Sequence, residues 1–391
     1  MLLHRFAPPQ ACALDLCGGK GGDLLKFKKA AVRALVLADH ASQSVKDAVQ
    51  RYNEQTPLPF PATFVCADCH SVRLSSALPA DLLFDFVSCQ FALHYSFESE
   101  ARAKTFAANI AERLRPGGTF VATFPSAEVL QAKLRASVDA QRQKASARRA
   151  QGDSNHNPPL RLEFGNNFYS VKFTSPCPLV EQQSAASAAT DATAAAASSS
   201  SSLPPLPPLP ASPFGVQYSF DLEDAISDCP EYLVSLPTLQ SLLSPYDCEL
   251  IYDRGLHAFF LDHCSDPEYG RLLRQMKVLG AEPYDRPLTA AEWEAIGVYR
   301  AVAFRRRMPG EVPGSYRDCS TAAAPALAGR SHAVDPSDPR AQRSRAEDEQ
   351  RQHQGPLSKV SIKDIIVIHT PTQTATAGAA AAAASADTLM S

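Results

Sequence analysis

The stretch Ala13-Leu-Asp-Leu-Cys-Gly-Gly-Lys-Gly-Gly-Asp23 constrains this chain more than any other. An apolar run entering a glycine-rich turn and then a helix is how α/β folds bring backbone N–H groups against a nucleotide-like ligand. Such turns also arise wherever a strand bends sharply into a helix, so the turn alone is only moderately specific. Two later runs sharpen it. Ala34-Leu-Val-Leu-Ala-Asp39 places a carboxylate about 20 residues beyond the first strand, where such folds bind ribose hydroxyls. Ala62-Thr-Phe-Val-Cys-Ala-Asp68 ends in the same way. Together with Asp15, these residues put three carboxylates at one sheet edge, more than helix N-capping requires.

Apolar or alternating runs at 12–17, 34–39, 62–68, 83–89 and 119–124 are interleaved with helical patterns at 22–31, 42–54, 98–115 and 126–150. That alternation predicts a doubly wound, mostly parallel α/β sheet of Rossmann-like type. Pro116-Gly-Gly reads as the stop of the fourth helix before a strand at Thr119.

The segment Leu14-Asp-Leu-Cys-Gly-Gly-Lys-Gly-Gly-Asp-Leu-Leu-Lys-Phe-Lys-Lys29 resembles the first motif of messenger-RNA cap guanine-N7 methyltransferases. Three further blocks carry the same resemblance: Asp85-Phe-Val-Ser-Cys-Gln-Phe-Ala-Leu-His-Tyr-Ser-Phe-Glu-Ser99, Phe164-Gly-Asn-Asn-Phe-Tyr-Ser-Val-Lys-Phe173, and Phe214-Gly-Val-Gln-Tyr-Ser-Phe-Asp-Leu222 continuing to Pro230-Glu-Tyr-Leu-Val234. The resemblance runs in order from about residue 13 to 306. It implies a class I S-adenosylmethionine-dependent methyltransferase fold, with strands at 249–254 and 298–306 forming an antiparallel edge. The implied reaction moves a methyl group from S-adenosylmethionine to N7 of the 5′-terminal guanosine of capped mRNA.

The resemblance assigns Asp15, Gly19, Asp39, Asp68, Gln90 and Tyr95 to the cofactor, with Asp39 on the ribose and Asp68 on the adenine amino group. It assigns Lys20, Lys26 and Arg51 to cap phosphates, His94 and Tyr299 to the guanine, and Glu231 to its Watson–Crick edge. The residue types suit these tasks: cations pair with phosphate, a carboxylate accepts from guanine N–H groups, and an aromatic face stacks on a base that becomes cationic. Guanine N7 offers an exposed lone pair and no proton, so no catalytic base is expected and the work is alignment. Ordinary structural readings stand beside these. Gln90 suits a polar strand end, Tyr95 a half-buried packing residue, Lys28 and Lys29 a solvated helix face, and Pro230-Glu231 a first helical turn. Cys17 occupies the place of the family's first loop glycine. Family members also carry an Asn-rich segment with a Trp and a Lys upstream of the loop. Residues 1–12 contain nothing like it, so the expectation is either a longer natural N-terminus or a shortened paralogue.

Composition bounds the rest. The 391 residues carry a net charge of -3, so any RNA binding must rest on a local basic patch. No signal peptide and no run of about 18 apolar residues is present, which predicts an intracellular protein without a membrane segment, and the resemblance implies the nucleus. The 10 cysteines form no framework and are expected to be reduced. Cys66-Ala-Asp-Cys69-His70 fits haem attachment and half a zinc site in spacing alone, and no metal is expected. Residues 184–213, rich in Ala, Ser and Pro, read as a disordered insertion within a domain spanning 1–308, and 309–391 as a mostly disordered tail. Within that tail Val360-Ser-Ile-Lys-Asp-Ile-Ile-Val-Ile-His369 suits a strand or a partner-binding peptide. Partners in the capping or transcription machinery follow from the resemblance only. Two other functions fit the residues: a cap-binding scaffold without catalysis, and a methyltransferase acting on a small molecule.

Overall fold

The computed structural model describes residues 1–55, 58–151, 159–174, 212–223, 225–275, 288–314 and 365–367. Helix α1 (Leu2–Phe6) precedes β1 (Cys12–Leu16), which leads through α2 (Leu24–Lys29) to β2 (Ala34–Asp39) and through α3 (Ser42–Glu54) to β3 (Ala62–Cys66). The chain then crosses back to β4 (Phe84–Gln90), beside β1, and through α4 (Glu100–Ala111) to β5 (Leu114–Pro125). These five strands are parallel, in the order β5-β4-β1-β2-β3. Strand order reverses between β1 and β4, and the crevice at the carboxyl ends there is where an open α/β sheet takes its ligand.

Period-2 side chains explain the two layers of core. Leu14, Leu16, Val36 and Ala38 face one cluster, to which α4 adds Phe106 and Ile110. Their neighbours Ala13, Leu35 and Leu37 face the other, filled by Leu24 and Phe27 of α2 and by Val45, Val49 and Tyr52 of α3.

Beyond β5, helix α5 (Ala127–Ala150) packs on a second, antiparallel sheet of β6 (Glu163–Gly165), β7 (Tyr169–Phe173), β8 (Gln217–Leu222) and β9 (Ile226–Tyr232). Leu130, Leu134 and Val138 of the helix meet Tyr169, Val171, Tyr218 and Phe220 of the strands. Helix α6 (Leu236–Leu243) returns the chain to the first sheet, where β10 (Cys248–Gly255) is followed by α7 (Leu256–His263), α8 (Pro267–Gln275), α9 (Ala290–Ile296) and β11 (Tyr299–Arg306). Strands β11 and β10 extend the sheet antiparallel beside β5, as expected. At the opposite edge β12 (Ile366–Val367) pairs with β3 in parallel.

The fourth helix departs from expectation. It is preceded by a 3-10 turn over Leu93–Glu98, it ends at Ala111, and Pro116-Gly117-Gly118 lie inside β5. Pairing with β4 steps from Phe84↔Leu114 to Phe86↔Thr119, so the Pro-Gly-Gly residues form a bulge that Gly117 permits with φ +80. Glu231 sits in β9 and not in a first helical turn. The second sheet, unassigned in the sequence, is the largest addition. Nearly all of the 184–213 insertion and of the tail lies outside the described residues, apart from 212–213, 309–314 and 365–367.

Candidate functional site

The glycine turn is held tightly from below and left open above. A Cβ on Gly18 would lie 2.7 Å from both Oδ2 of Asp15 and Cγ of Leu37, so any side chain there would have to displace one of them. At Gly19, with φ +53, a Cβ would meet nothing within 4 Å. The turn therefore presents bare backbone to an open space, which fits a ligand lying against it. Gly19 N–H donates to Oδ2 of Asp39 and Ala41 N–H to its Oδ1, both at 2.9 Å. A carboxylate accepts about four hydrogen bonds, so Asp39 retains capacity for a pair of hydroxyls. Asp15 is buried beneath the turn and hydrogen-bonds Ser88; burial and the nearby Asp23 push its carboxyl well above the usual range. Cys17 adopts φ +57, an uncommon conformation for a residue with a side chain.

Asp68 closes the next loop. Its Oδ1 accepts from His70 N–H at 3.0 Å, and its Oδ2 from Ser71 Oγ at 2.6 Å and Arg102 Nη1 at 3.2 Å. The His70 side chain above all, aided by Ser71 and Arg102 against the penalty of burial, holds this carboxyl well below the usual range. Asn109 braces the same loop, donating to Cys69 O and Val72 O and accepting from Leu74 N–H. Gln90, at the end of β4, accepts from Thr123 Oγ1 at 2.7 Å and donates to Ser88 Oγ at 3.2 Å.

A largely buried aromatic and acidic cluster follows from the end of β4. His94 and Tyr95 come from the 3-10 turn, Glu231 from β9 and Tyr299 from β11. The backbone bond from Gly215 N–H to Phe97 O, 2.9 Å, helps tie the approach to β8 against that turn. Glu231, 2% exposed, accepts from Tyr218 Oη at 2.8 Å, and its Oε1 lies 3.4 Å from His94 Nε2 without completing a hydrogen bond. Both ring nitrogens of His94 are buried without a hydrogen-bond partner. Polar groups in that condition are costly unless something satisfies them. Tyr95 Oη lies 3.5 Å from Cys229 Sγ, and its ring centroid is 4.2 Å from that of His94. Tyr299 meets Phe91 edge-on at 5.3 Å and Phe220 at 6.2 Å. Burial, reinforced by Glu231, pushes the hydroxyls of Tyr218 and Tyr299 up, so both remain neutral donors.

The three candidate phosphate contacts form an exposed rim on the outer side of the turn. Lys20 pairs with Asp47 of α3 at 3.3 Å and Lys26 with Asp23. Arg51, four residues after Asp47, reaches toward Gly22. Lys20 belongs to the glycine turn, Lys26 to α2 and Arg51 to α3, helices of one core layer, whereas the turn carrying His94 packs with the opposite layer. The sequence-predicted set thus divides into a carboxyl-edge group, a buried cluster and an exposed cationic rim. Tyr218, Arg102 and Asn109 were given no role by sequence, because each acts through a partner that only the fold brings to it; His70, noted only for its spacing from Cys66 and Cys69, acts on Asp68 two residues before it. The basic run Arg305-Arg306-Arg307 is engaged by Glu311, backbone carbonyls and Asp247 respectively. Among the described residues no three His, Cys, Asp or Glu side chains converge in a metal-holding arrangement, and no helix is long and apolar enough to cross a membrane.

A family model described as mRNA (guanine-N(7))-methyltransferase domain matches residues 1–186 and 199–307. The mRNA cap guanine-N(7) methyltransferase 1 of Oryza sativa subsp. japonica is 36% identical over 324 residues, covering 81% of this chain and 74% of that protein. The mRNA cap guanine-N(7) methyltransferase 1 of Arabidopsis thaliana is 35% identical over 325 residues, covering the same shares. The mRNA cap guanine-N(7) methyltransferase of Schizosaccharomyces pombe is 30% identical over 312 residues, covering 78% of this chain and 72% of that protein.

Proposed function

The chain belongs to the mRNA (guanine-N(7))-methyltransferase family, and from that premise we propose that its crevice methylates N7 of the guanosine capping mRNA. The observation that carries the reading is the cluster of His94, Tyr95, Tyr218, Glu231 and Tyr299, in which both ring nitrogens of His94 are buried without a hydrogen-bond partner.

S-adenosylmethionine, when bound, supplies an electrophilic methyl on a sulfonium. The chain's own residues hold and align. The bare backbone at Gly19 supports the amino-acid portion, Asp39 receives the ribose hydroxyls, and Asp68 receives the adenine amino group. Asp15, Gln90 and Tyr95 shape the walls. Glu231, oriented by Tyr218, accepts from the N1–H and N2–H of guanine, which fixes the ring and turns N7 toward the methyl donor. His94 and Tyr299 confine the base, and Lys20, Lys26 and Arg51 draw in the triphosphate bridge. Because N7 carries a free lone pair, the pocket needs no base, and rate comes from orientation and excluded water. The same reading places the protein in the nucleus, where caps mature, in the company of capping or transcription factors.

Glu231→Gln tests the assignment. It keeps shape but replaces an acceptor by a donor facing guanine N–H groups, a loss of about 2 kcal/mol or more, or roughly thirtyfold. The KM for capped RNA should rise by that order while the Kd for S-adenosylmethionine, read by calorimetry, stays unchanged. Equal loss on both would remove Glu231 from the guanine site.

A further inference from the structure

Helix α4 holds the loop after β3 along one face, from which Arg102, Phe106 and Asn109 project at helical spacing. Asn109 donates to Cys69 O at 2.7 Å and to Val72 O at 2.8 Å, and the ring centroid of Phe106 lies 4.7 Å from that of His70. Arg102 Nη1 donates to Ser71 Oγ at 2.6 Å and to Asp68 Oδ2 at 3.2 Å. The helix also continues the 3-10 turn Leu93–Glu98 that carries His94 and Tyr95. Ser99 alone separates the two, and its hydroxyl accepts from Arg102 N–H at 3.3 Å. The Arg102 side chain reaches back to that turn as well: its Nε, shielded from solvent, forms an ion pair with Oε2 of Glu98 at 3.0 Å.

We propose that Arg102 is a positioning residue that couples the S-adenosylmethionine site to the guanine site, so that each ligand binds more tightly when the other is present. This rests on the reading of Asp68 as the adenine contact and of His94 and Glu231 as guanine contacts. A guanidinium is a rigid fork of N–H donors, so a partner held on one arm fixes where the other arm can point. Here the two arms meet carboxylates of two segments, Asp68 of the loop after β3 and Glu98 of the turn.

Adenine engaging Asp68 holds the loop in one position, and Arg102 passes that position to Glu98 and so to the turn of His94. The other side of the turn leans on the second sheet. Gly215 N–H donates to Phe97 O, the Phe97 and Phe214 ring centroids lie 5.5 Å apart, and β8, which follows, pairs Tyr218 with Glu231 of β9. The guanine contacts are therefore ordered from both directions, and the ligand that binds second has less conformational freedom to remove. Linkage makes the gain equal for the two ligands. The Arg102–Glu98 pair is partly exposed, and such pairs contribute little to folding, so breaking it should remove the coupling and leave stability in place.

The experiment is calorimetric titration of the full chain with the cap analogue GpppG, in the absence and in the presence of saturating S-adenosylhomocysteine, which cannot transfer a methyl group. We expect S-adenosylhomocysteine to tighten GpppG binding about fivefold in the wild-type protein. Glu98→Gln, whose side chain contacts neither ligand in the proposed arrangement, should bring that factor close to one with an unchanged thermal midpoint. Arg102→Lys keeps the charge without the fork and should do the same. No tightening in the wild-type protein, or tightening that survives both substitutions, overturns the proposal. Coupling lost only together with a fallen thermal midpoint also overturns it, because the pair would then be a structural brace. A wild-type protein that binds no S-adenosylhomocysteine, or binds it equally well after Asp68→Ala, overturns the reading of the cofactor site itself.

Discussion

Asp68 gathers His70, Ser71 and Arg102 around one carboxylate, and its charge is therefore worth more folded than unfolded. Its carboxyl titrates below the roughly 3.9 of an unfolded Asp, so its contribution is complete above that value and drains away as pH falls toward the folded one. Asp68→Asn should lower the urea midpoint at pH 7, and the gap from wild type should shrink as pH is taken from about 5 to 2. A gap independent of pH would mean that the carboxylate's charge does not contribute. Glu231 shows the other use of burial. Its partner Tyr218 holds one oxygen while the second faces a His94 ring that lacks a hydrogen-bond partner, which leaves the pair arranged for a ligand more than for stability.

Among the elements, the junction of β1, the glycine turn and β2 is the most demanding. Gly18→Ala would force a Cβ to within 2.7 Å of Asp15 and Leu37, an overpacking that costs about 1–3 kcal/mol. A drop of that size in unfolding free energy, with weakened S-adenosylmethionine binding, is expected in denaturant titration; an unchanged protein would show that the turn relaxes freely. The sheet core from β1 to β3 was legible in the sequence because its signals are local: alternation along each strand and an Asp at its end. The helix before β5 was read too long because Pro116-Gly-Gly is a strong local stop, and only pairing with β4, a non-local interaction, absorbs it as a bulge. The second sheet was illegible for the same reason. Its pairing of Tyr169↔Leu222 spans the Ala/Ser/Pro insertion, and without that pairing Glu231 reads equally well as a helical residue.

For the whole molecule, the crevice is assembled from residues running from Asp15 to Tyr299, and even the far tail contributes to its frame. Ile366 and Val367 pair with Val65 and Cys66, covering an edge of β3 that would otherwise expose unpaired backbone groups. Deleting residues 360–391 should speed amide exchange within 62–66 while β4 and β5 stay protected; unchanged exchange would mean that the pairing contributes nothing. The central claim, however, concerns chemistry. The direct measurement is transfer of labelled methyl from S-adenosylmethionine to RNA ending in GpppN, followed by digestion and identification of the cap nucleotide. The account predicts label on N7 of the capping guanosine and none on uncapped RNA. Binding of S-adenosylmethionine without any label on the cap, or label on another atom, would contradict it.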